Sequence, residues 1–288
     1  MRLAPLVHPK QIIETYVTSV TSTIITTTTN LVRHKTAFLS MIRRFVHLFK
    51  ASARNLVRLY DEFPYLLGYQ YAIFGYYPKT KTILHELFNH YGSDKGSLEI
   101  QNSSNLWISH TYADIYHQLF QHCRDSIKIV IECGIGTNNP LLVSSMGNGA
   151  SPGASLRAWK DYFPNALIVG LDIDRNILFK EDRISTFYCD QTKQTDFAEV
   201  FKSLGLSSFD LMIDDGLHTS QAAIKLFNSA KAYMTETSIY VIEDMDSKDL
   251  PTLLSYLETE PAYYFMCLRL SRPNHRIYDN TMVVIRKK

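Results

Sequence analysis

Cysteine is scarce in this sequence. Only four cysteines occur among 288 residues, and no two of them form a Cys-x-x-Cys pair; they are Cys123, Cys133, Cys189 and Cys267. Single, widely spaced thiols indicate neither a zinc site nor a disulfide framework. Isolated reduced thiols are typical of a cytosolic protein. The sequence therefore predicts a cytoplasmic protein without structural disulfides.

Long apolar runs are also missing. Because no stretch of about 18 apolar residues occurs, we do not expect a transmembrane helix. The N-terminus lacks the compact apolar segment and the cleavage site of a signal peptide. The composition, 45% hydrophobic and 20% charged, is that of an ordinary globular protein. The length suffices for one α/β domain with a smaller appendage.

Acidic residues are nearly absent from residues 1–60. This segment has nine Lys and Arg against the single acid Glu14, so it carries +8 of a chain whose net charge is +2, and the remainder carries −6. Apolar residues recur at helical spacing between Phe38 and Phe49, which predicts a basic amphipathic helix within residues 31–60. We expect a mainly helical appendage over residues 1–80 that packs on the main domain or on a second subunit of a homo-oligomer. Contact with a membrane surface or another anionic partner is the alternative.

Residues 81–288 alternate between short apolar runs and helical segments. This alternation predicts an α/β domain with a mostly parallel, seven-stranded sheet, in which the last two strands form an antiparallel hairpin. The predicted strands are Ile127–Cys133, Ala166–Asp172, Arg183–Tyr188, Phe209–Asp214, Ser238–Glu243, Ala262–Leu270 and Asn280–Arg286. The predicted helices are His110–Cys123, Ser155–Tyr162, Thr195–Leu204 and Thr219–Met234.

The first predicted strand ends in a glycine-containing loop, Glu132-Cys133-Gly134-Ile135-Gly136. Two glycines two residues apart allow the backbone to turn tightly and to approach a ligand. Asn139 stands where a dinucleotide-binding loop has its third glycine, which argues against a diphosphate at the helix N-terminus. Glu132, two residues before the first glycine, suits a ligand that carries an ammonium group.

Acidic residues also end the next two predicted strands. Asp172, or else Asp174, can accept hydrogen bonds from both hydroxyls of a ribose. Asp190 can accept a hydrogen bond from an adenine amino group. Each acid alone is more often a strand-end or helix-capping residue. Their succession behind an E-x-G-x-G loop favours an adenosyl ligand.

A second acidic group follows the fourth and fifth predicted strands. Asp214, Asp215 and His218 follow one strand, and Glu243 and Asp244 end the other. Adjacent parallel strands bring such ends together, and converging carboxylates repel unless a cation intervenes. All-oxygen ligands favour Mg²⁺ over zinc. His218 lies near the same opening and is a candidate general base. Helix capping by the aspartates is the alternative interpretation.

The glycine loop and the acids after it resemble class I S-adenosylmethionine-dependent methyltransferases over residues 127–288. The resemblance implies a Rossmann-like methyltransferase fold with S-adenosyl-L-methionine as cofactor. In that family the loop holds the methionine part, the second-strand acid the ribose and the third-strand acid the adenine. It thus implies donor-binding roles for Glu132, Gly134, Gly136, Asp172 and Asp190.

A narrower resemblance rests on the run Asp-Asp-Gly-Leu-His-Thr from Asp214, followed by Glu-Asp 28 residues after Asp215. Together with Tyr91-Gly92-Ser93-Asp94-Lys95-Gly96, His110-Thr111-Tyr112 and the stretch 153–166, it is similar to metal-dependent sugar O-methyltransferases of macrolide biosynthesis and to the cephalosporin-hydroxylase-like group. This resemblance covers residues 84–288. It implies Mg²⁺ held by Asp215, Glu243 and Asp244, with His218 and Asp215 catalytic. Ser93 and Lys95 join the implied donor-binding residues.

The expected reaction is transfer of a methyl group from the donor sulfonium to a hydroxyl of a sugar or glycosylated natural product. Three alternatives stay open at this point. A metal-independent methyltransferase of a small molecule would use the second acidic group structurally. A nucleic-acid methyltransferase would use the basic helix as a phosphate-binding arm, but the acidic catalytic half argues against a nucleic-acid partner. A non-catalytic scaffold would bind the cofactor and act through the basic helix.

Overall fold

The computed structural model describes residues 71–75, 81–96, 108–147, 151–271 and 277–288. Contacts divide the chain into two units, Met1–Tyr71 and Ala72–Lys288. The predicted basic helix lies outside the described residues. The predicted boundary after residue 80 stays a prediction. Among the described residues, no helix is both long and apolar enough to cross a membrane.

A single sheet of nine strands organises the described residues, in the order β1-β8-β9-β7-β6-β2-β3-β5-β4. Strands β2, β3, β5, β6 and β7 run parallel, and β9 and β8 are antiparallel additions beside β7. The strands are β1 Tyr71–Gly75, β2 Ile129–Cys133, β3 Leu167–Asp172, β4 Lys180–Glu181, β5 Ile184–Tyr188, β6 Phe209–Asp214, β7 Met234–Glu243, β8 Tyr263–Ser271 and β9 Thr281–Lys287. The predicted seven-stranded sheet with its C-terminal hairpin is confirmed, and β1 and β4 extend it at the two edges.

Six α-helices lie among the described residues. They are α1 Ile83–Tyr91, α2 Ala113–Phe120, α3 Ala154–Tyr162, α4 Gln194–Leu204, α5 Ser220–Ala230 and α6 Leu250–Glu258. Three short 3-10 turns span Arg124–Ser126, Arg175–Ile177 and Lys231–Tyr233. Local sequence sets several boundaries: Thr82 forms a capping box with His85, Thr219 caps α5, and Gly92 ends α1 in a left-handed conformation.

The predicted helix His110–Cys123 is shorter in the structure, Ala113–Phe120, and the largest boundary errors lie before β7. The helix predicted to run to Met234 ends at Ala230, and β7 begins at Met234 instead of Ser238. The backbone at Thr235 donates to the hydroxyl of Ser238, which in turn donates to the carbonyl of Phe209. These bonds tie the start of β7 to β6 through polar residues that no apolar pattern marks.

An aromatic cluster fixes α1, α2 and α3 against one another. The buried ring of Trp159 lies 4.9 Å, centre to centre, from both Phe88 and Tyr116, edge to face in each case. Phe120 and Phe163 make a similar contact at 5.3 Å. Such pairs add to the free energy already gained by burying large rings. The cluster thereby fixes the position of the turn 91–96, which follows α1 and lies beside the carboxyl ends of the strands.

Candidate active site

The carboxyl ends of β2, β3, β6 and β7 form one edge of the sheet. The strand register aligns Cys133 with Leu171 and with Asp214, and Asp214 with Ile242, so the residues that follow these strands meet in space. A cavity of about 560 Å³ opens there. This is the position at which parallel α/β sheets bind ligands.

The glycine loop forms one wall of the cavity. Gly134 and Gly136 both have left-handed backbone, with φ of 87° and 86°. A Cβ at Gly134 would lie 2.0 Å from the carbonyl oxygen of Asp215, so no side chain fits there. Asp172 holds the loop by accepting from the backbone N–H of Ile135 at 2.9 Å. The loop and the second-strand acid are therefore one hydrogen-bonded unit, and the predicted contact of Asp172 with a ribose stays a prediction.

The predicted donor-binding residues divide into two groups. Gly134, Gly136 and Asp172 line the cavity. Glu132 and Asp190 are not among the described residues that line it. Asp190 accepts from the N–H and hydroxyl of Thr192 and pairs with Lys193, so its carboxylate stabilises the turn before α4.

Gln191 is a residue that the sequence did not single out. Its side-chain oxygen accepts from the N–H of Leu217 at 2.8 Å, and its nitrogen donates to Asp214 at 3.2 Å. The two bonds connect the end of β5 to the loop after β6. Gln191 directly follows Asp190 in the sequence, and the prediction assigned the functional role at this strand end to Asp190 alone.

Lys95 lies at the centre of a carboxylate group that also includes Glu132. Its ammonium is 2.5 Å from Asp215, closer still to Glu243, and 3.5 Å from Glu132. The side chain is only 3% exposed. Burial alone would lower the pKa of Lys95, but the charges of Asp215, Glu243 and Glu132 raise it well above the ordinary value. Lys95 is therefore a charged lysine inside the protein.

Each carboxylate that contacts Lys95 is also held at its other oxygen. The indole N–H of Trp159 donates to Glu132 at 2.8 Å. The hydroxyl of Tyr116 donates to Glu243 at 2.6 Å. The lysine and these donors lie on elements that are distant in sequence from the acids. Ser93, predicted beside Lys95, is buried, and its hydroxyl accepts from the backbone of Lys95 at 3.4 Å.

Asp215, His218 and Asp244 offer one ligand atom each within 4.8 Å of one another, the arrangement expected of a metal site. Glu243, which the sequence placed among the metal ligands, is not in this group, and its two oxygens accept from Lys95 and Tyr116. Two carboxylates and an imidazole suit a divalent cation. The residues therefore fit a divalent cation, and His218 stands in this set in place of the predicted Glu243, which makes the set less specific for Mg²⁺ than oxygen ligands alone.

The backbone supports the same assignment. His218 and Asp244 have left-handed backbone, with φ of 53° and 57°. Non-glycine residues adopt this conformation at an energetic cost and are found preferentially at functional sites. The Tyr112 hydroxyl donates to Asp244, and His110 lies 3.4 Å from the same carboxylate, so neighbouring groups hold Asp244 in place.

The charges around His218 determine its protonation. Burial lowers the pKa of His218, but its hydrogen bond to Asp215 and the charge of Asp244 raise it to about 10. For Asp215 burial acts in the opposite direction and raises the pKa. The charges of Lys95 and His218 outweigh burial and bring the pKa of Asp215 below its ordinary range. At neutral pH the pair is thus imidazolium and carboxylate, 3.2 Å apart. His218 can accept a proton only when a further positive charge offsets the acids around it.

The chain resembles known proteins in fold and, over part of its length, in sequence. No protein-family profile matches it. A solved structure of the MycE methyltransferase from the mycinamycin biosynthetic pathway, in complex with Mg and SAH, superposes with a TM-score of 0.53 at 23% identity, covering 72% of this chain and 55% of that one. The chain has the class I methyltransferase fold.

Curated relatives agree with the narrower resemblance. The 8-demethyl-8-alpha-L-rhamnosyl tetracenomycin-C 2'-O-methyltransferase of Streptomyces olivaceus is 30% identical over 154 residues, 54% of this chain and 38% of the relative. The demethylmacrocin O-methyltransferase of Streptomyces fradiae is 32% identical over 136 residues, 47% of this chain and 32% of the relative. The matches thus span less than half of these relatives. The predicted resemblance to sugar O-methyltransferases is confirmed.

Proposed function

We propose that the protein is an S-adenosylmethionine-dependent O-methyltransferase that methylates a hydroxyl of a sugar or glycosylated natural product. One observation carries the proposal: the glycine loop with Asp172 and the group of Asp215, His218 and Asp244 face the same 560 Å³ cavity. A donor bound along the loop would present its methyl group to an acceptor beside the acids. The curated sugar O-methyltransferases that resemble the chain support this acceptor class.

The donor would be held by the loop and by Asp172, whose carboxylate is fixed by the backbone of Ile135 and Asp174. Each oxygen of Asp172 keeps a lone pair for a ribose hydroxyl. Glu132 and Asp190 remain candidates for the donor amine and the adenine. Asp190 would have to exchange a present contact for the adenine, whereas one oxygen of Glu132 accepts no hydrogen bond among the described residues.

Asp215 and Asp244 would hold a divalent cation such as Mg²⁺, with the imidazole of His218 next to them. When bound, the ion lowers the pKa of an acceptor hydroxyl and fixes its orientation. His218 would then take the proton of that hydroxyl. Asp215 keeps the imidazole oriented, at 3.2 Å. Holding the donor and the acceptor in one cavity supplies much of the remaining acceleration.

Calorimetry with S-adenosylhomocysteine, in Mg²⁺ and in EDTA, tests the binding part of the proposal. We expect one ligand per chain. We also expect Mg²⁺ to bind to the wild type and to be lost in Asp215→Asn. Asp182→Asn is the matched control, because the Asp182 side chain is 90% exposed. Failure of the wild type to bind S-adenosylhomocysteine would refute the proposal.

One observation favours a metal-independent methyltransferase as a second candidate. The ammonium of Lys95 already contacts Asp215 and Glu243, so these acids do not require a metal ion for neutralisation. Full methyl transfer in EDTA would select this candidate. Loss of turnover in EDTA with recovery in Mg²⁺ would select the metal-assisted one.

We also propose that the protein is a cytoplasmic homo-oligomer and that it acts without a nucleic acid. The apolar face of the predicted amphipathic helix within residues 31–60 supports a role of this segment in contacts between subunits. Light scattering of the full chain and of a chain that begins at residue 72 would test the assembly. A monomeric full chain would contradict it.

A further inference from the structure

Lys95 is a buried cation of the candidate site, with a side chain that is 3% exposed. It lies in the turn after α1, and its backbone is anchored on both sides. The carbonyl of Lys95 accepts from the N–H of Ala113 at 3.2 Å, and the carbonyl of Asp94 accepts from the N–H of His110 at 2.8 Å. The start of α2 therefore fixes the position from which the side chain reaches the sheet edge.

The three acids around the ammonium come from three different strand ends. Glu132 lies in β2, Asp215 follows β6 and Glu243 ends β7. An ammonium has three N–H donors, so its geometry suits three carboxylate oxygens. The other oxygens of Glu132, Asp215 and Glu243 already have Trp159, His218 and Tyr116 as partners. Lys95 donates hydrogen bonds to Asp215 and Glu243, and it lies 3.5 Å from the Glu132 oxygen, which has no hydrogen-bond partner among the described residues.

We infer that Lys95 is a positioning residue that acts as an internal counter-ion. It holds Glu132, beside the glycine loop, close to Asp215 and Glu243, beside the candidate metal group. Its charge also lowers the affinity of the site for a divalent cation. The inference rests on the proposed function for the identity of that cation. Asp215 connects the two sides of the site, because it contacts Lys95 and is also a member of the candidate metal group.

The electrostatic consequence has a definite sign. A positive charge beside Asp215 and Glu243 neutralises them when no metal is bound and repels a metal that approaches. If Lys95 is replaced by an uncharged side chain, buried carboxylates lose their counter-ion, which destabilises the fold. The same replacement strengthens cation binding, because a unit charge a few ångström from a divalent ion changes its affinity by ~10-fold or more even at a high effective dielectric constant.

The test is a comparison of Lys95→Met with the wild type in the full chain, with Mg²⁺ as the only added ligand. We expect Lys95→Met to unfold at a lower temperature than the wild type in EDTA. We expect Mg²⁺ to raise its unfolding temperature more than that of the wild type, and its dissociation constant for Mg²⁺ to be ~10-fold lower. Lys95→Gln, which keeps two N–H donors but no charge, should behave in the same way.

Lys231→Met is the matched control. Lys231 pairs with Glu260 at 2.7 Å near the start of β7, away from the site, and is 29% exposed. This variant should respond to Mg²⁺ as the wild type does. A purely structural role for Lys95 would lower stability by the same amount with and without Mg²⁺.

Two results would overturn the inference. One is an equal or smaller Mg²⁺ response in both Lys95 variants than in the wild type. The other is that neither variant folds even with Mg²⁺ present, because the ion is expected to replace the lost charge. If the variants bind Mg²⁺ and the wild type does not, the counter-ion role stands and the metal role in the proposed function fails. If the wild type binds Mg²⁺ and the variants respond no more strongly, only the counter-ion role fails.

Discussion

Replacement of Tyr116 by phenylalanine isolates one hydrogen bond at the centre of the site. The ring is fully buried, and its hydroxyl donates to Glu243 at 2.6 Å. Tyr116→Phe keeps the ring contact with Trp159 and removes only that donor. A hydrogen bond contributes about 0.5–1.5 kcal/mol, and more when the partner is charged, so we expect a loss of about 1–2 kcal/mol in the free energy of unfolding.

Tyr240 provides the matched comparison. It is also fully buried, and its hydroxyl has no hydrogen-bond partner among the described residues. Because Tyr240→Phe removes a buried polar group without breaking a bond, it should be neutral or slightly stabilising. Urea unfolding at neutral pH measures both variants. Equal stabilities, or a larger loss in Tyr240→Phe, would refute the claim that the Tyr116 hydroxyl stabilises Glu243.

Three further predictions test other parts of the site. His218→Ala should lower kcat by ~10²–10⁴ with the affinity for S-adenosylhomocysteine retained, and an unchanged kcat would exclude His218 as the base. Burial raises the pKa of Asp214 from 3.8 to about 6. Ionisation of Asp214 therefore opposes folding, with no effect below about pH 4 and the full effect above about pH 6. In EDTA, Asp214→Asn should be up to about 3 kcal/mol more stable than the wild type at about pH 8. At about pH 4 the two proteins should be nearly equal in stability. Gly134→Ala should cost more unfolding free energy than Gly205→Ala, because both have positive φ but a Cβ at Gly205 would meet no atom within 4 Å. Equal costs in urea unfolding would contradict the close approach of the loop to Asp215.

The sheet was predictable because each of its central strands is a short apolar run. Strand β2, Ile129–Cys133, lies within two residues of its predicted start and at its predicted end, and β6, Phe209–Asp214, has its predicted bounds. The residues after such strands meet at one edge for topological reasons, so the convergence of Asp172, Asp215 and Asp244 followed from the strand order alone.

Helices α1 and α6 were not predicted. In α6 the buried leucines Leu250, Leu253, Leu254 and Leu257 have helical spacing, so the signal was present in the sequence. Helix α1 has only nine residues, and its capping box uses His85 in place of the usual acid or amide. The leucine spacing in the sequence therefore indicates α6, whereas the capping box of α1 is too unusual to predict that helix.

The sequence does not show which of the acids contact other side chains and which are available to a metal ion. Whether Glu243 binds a metal or another side chain depends on Tyr116 and Lys95, which lie 127 and 148 residues before it in the chain. No local pattern records such contacts. The resemblance placed Lys95 near the donor, and the structure adds that its ammonium contacts Asp215 and Glu243.

The most direct test of the central claim is methyl transfer from S-adenosylmethionine carrying a labelled methyl group to a set of deoxysugar glycosides. The purified full chain is assayed with Mg²⁺, with EDTA, and as Asp215→Asn. The account predicts label on a sugar hydroxyl of at least one glycoside with Mg²⁺, and little or none with EDTA or in the variant. Transfer that is equal in all three samples would contradict it, as would binding of the donor without transfer to any glycoside.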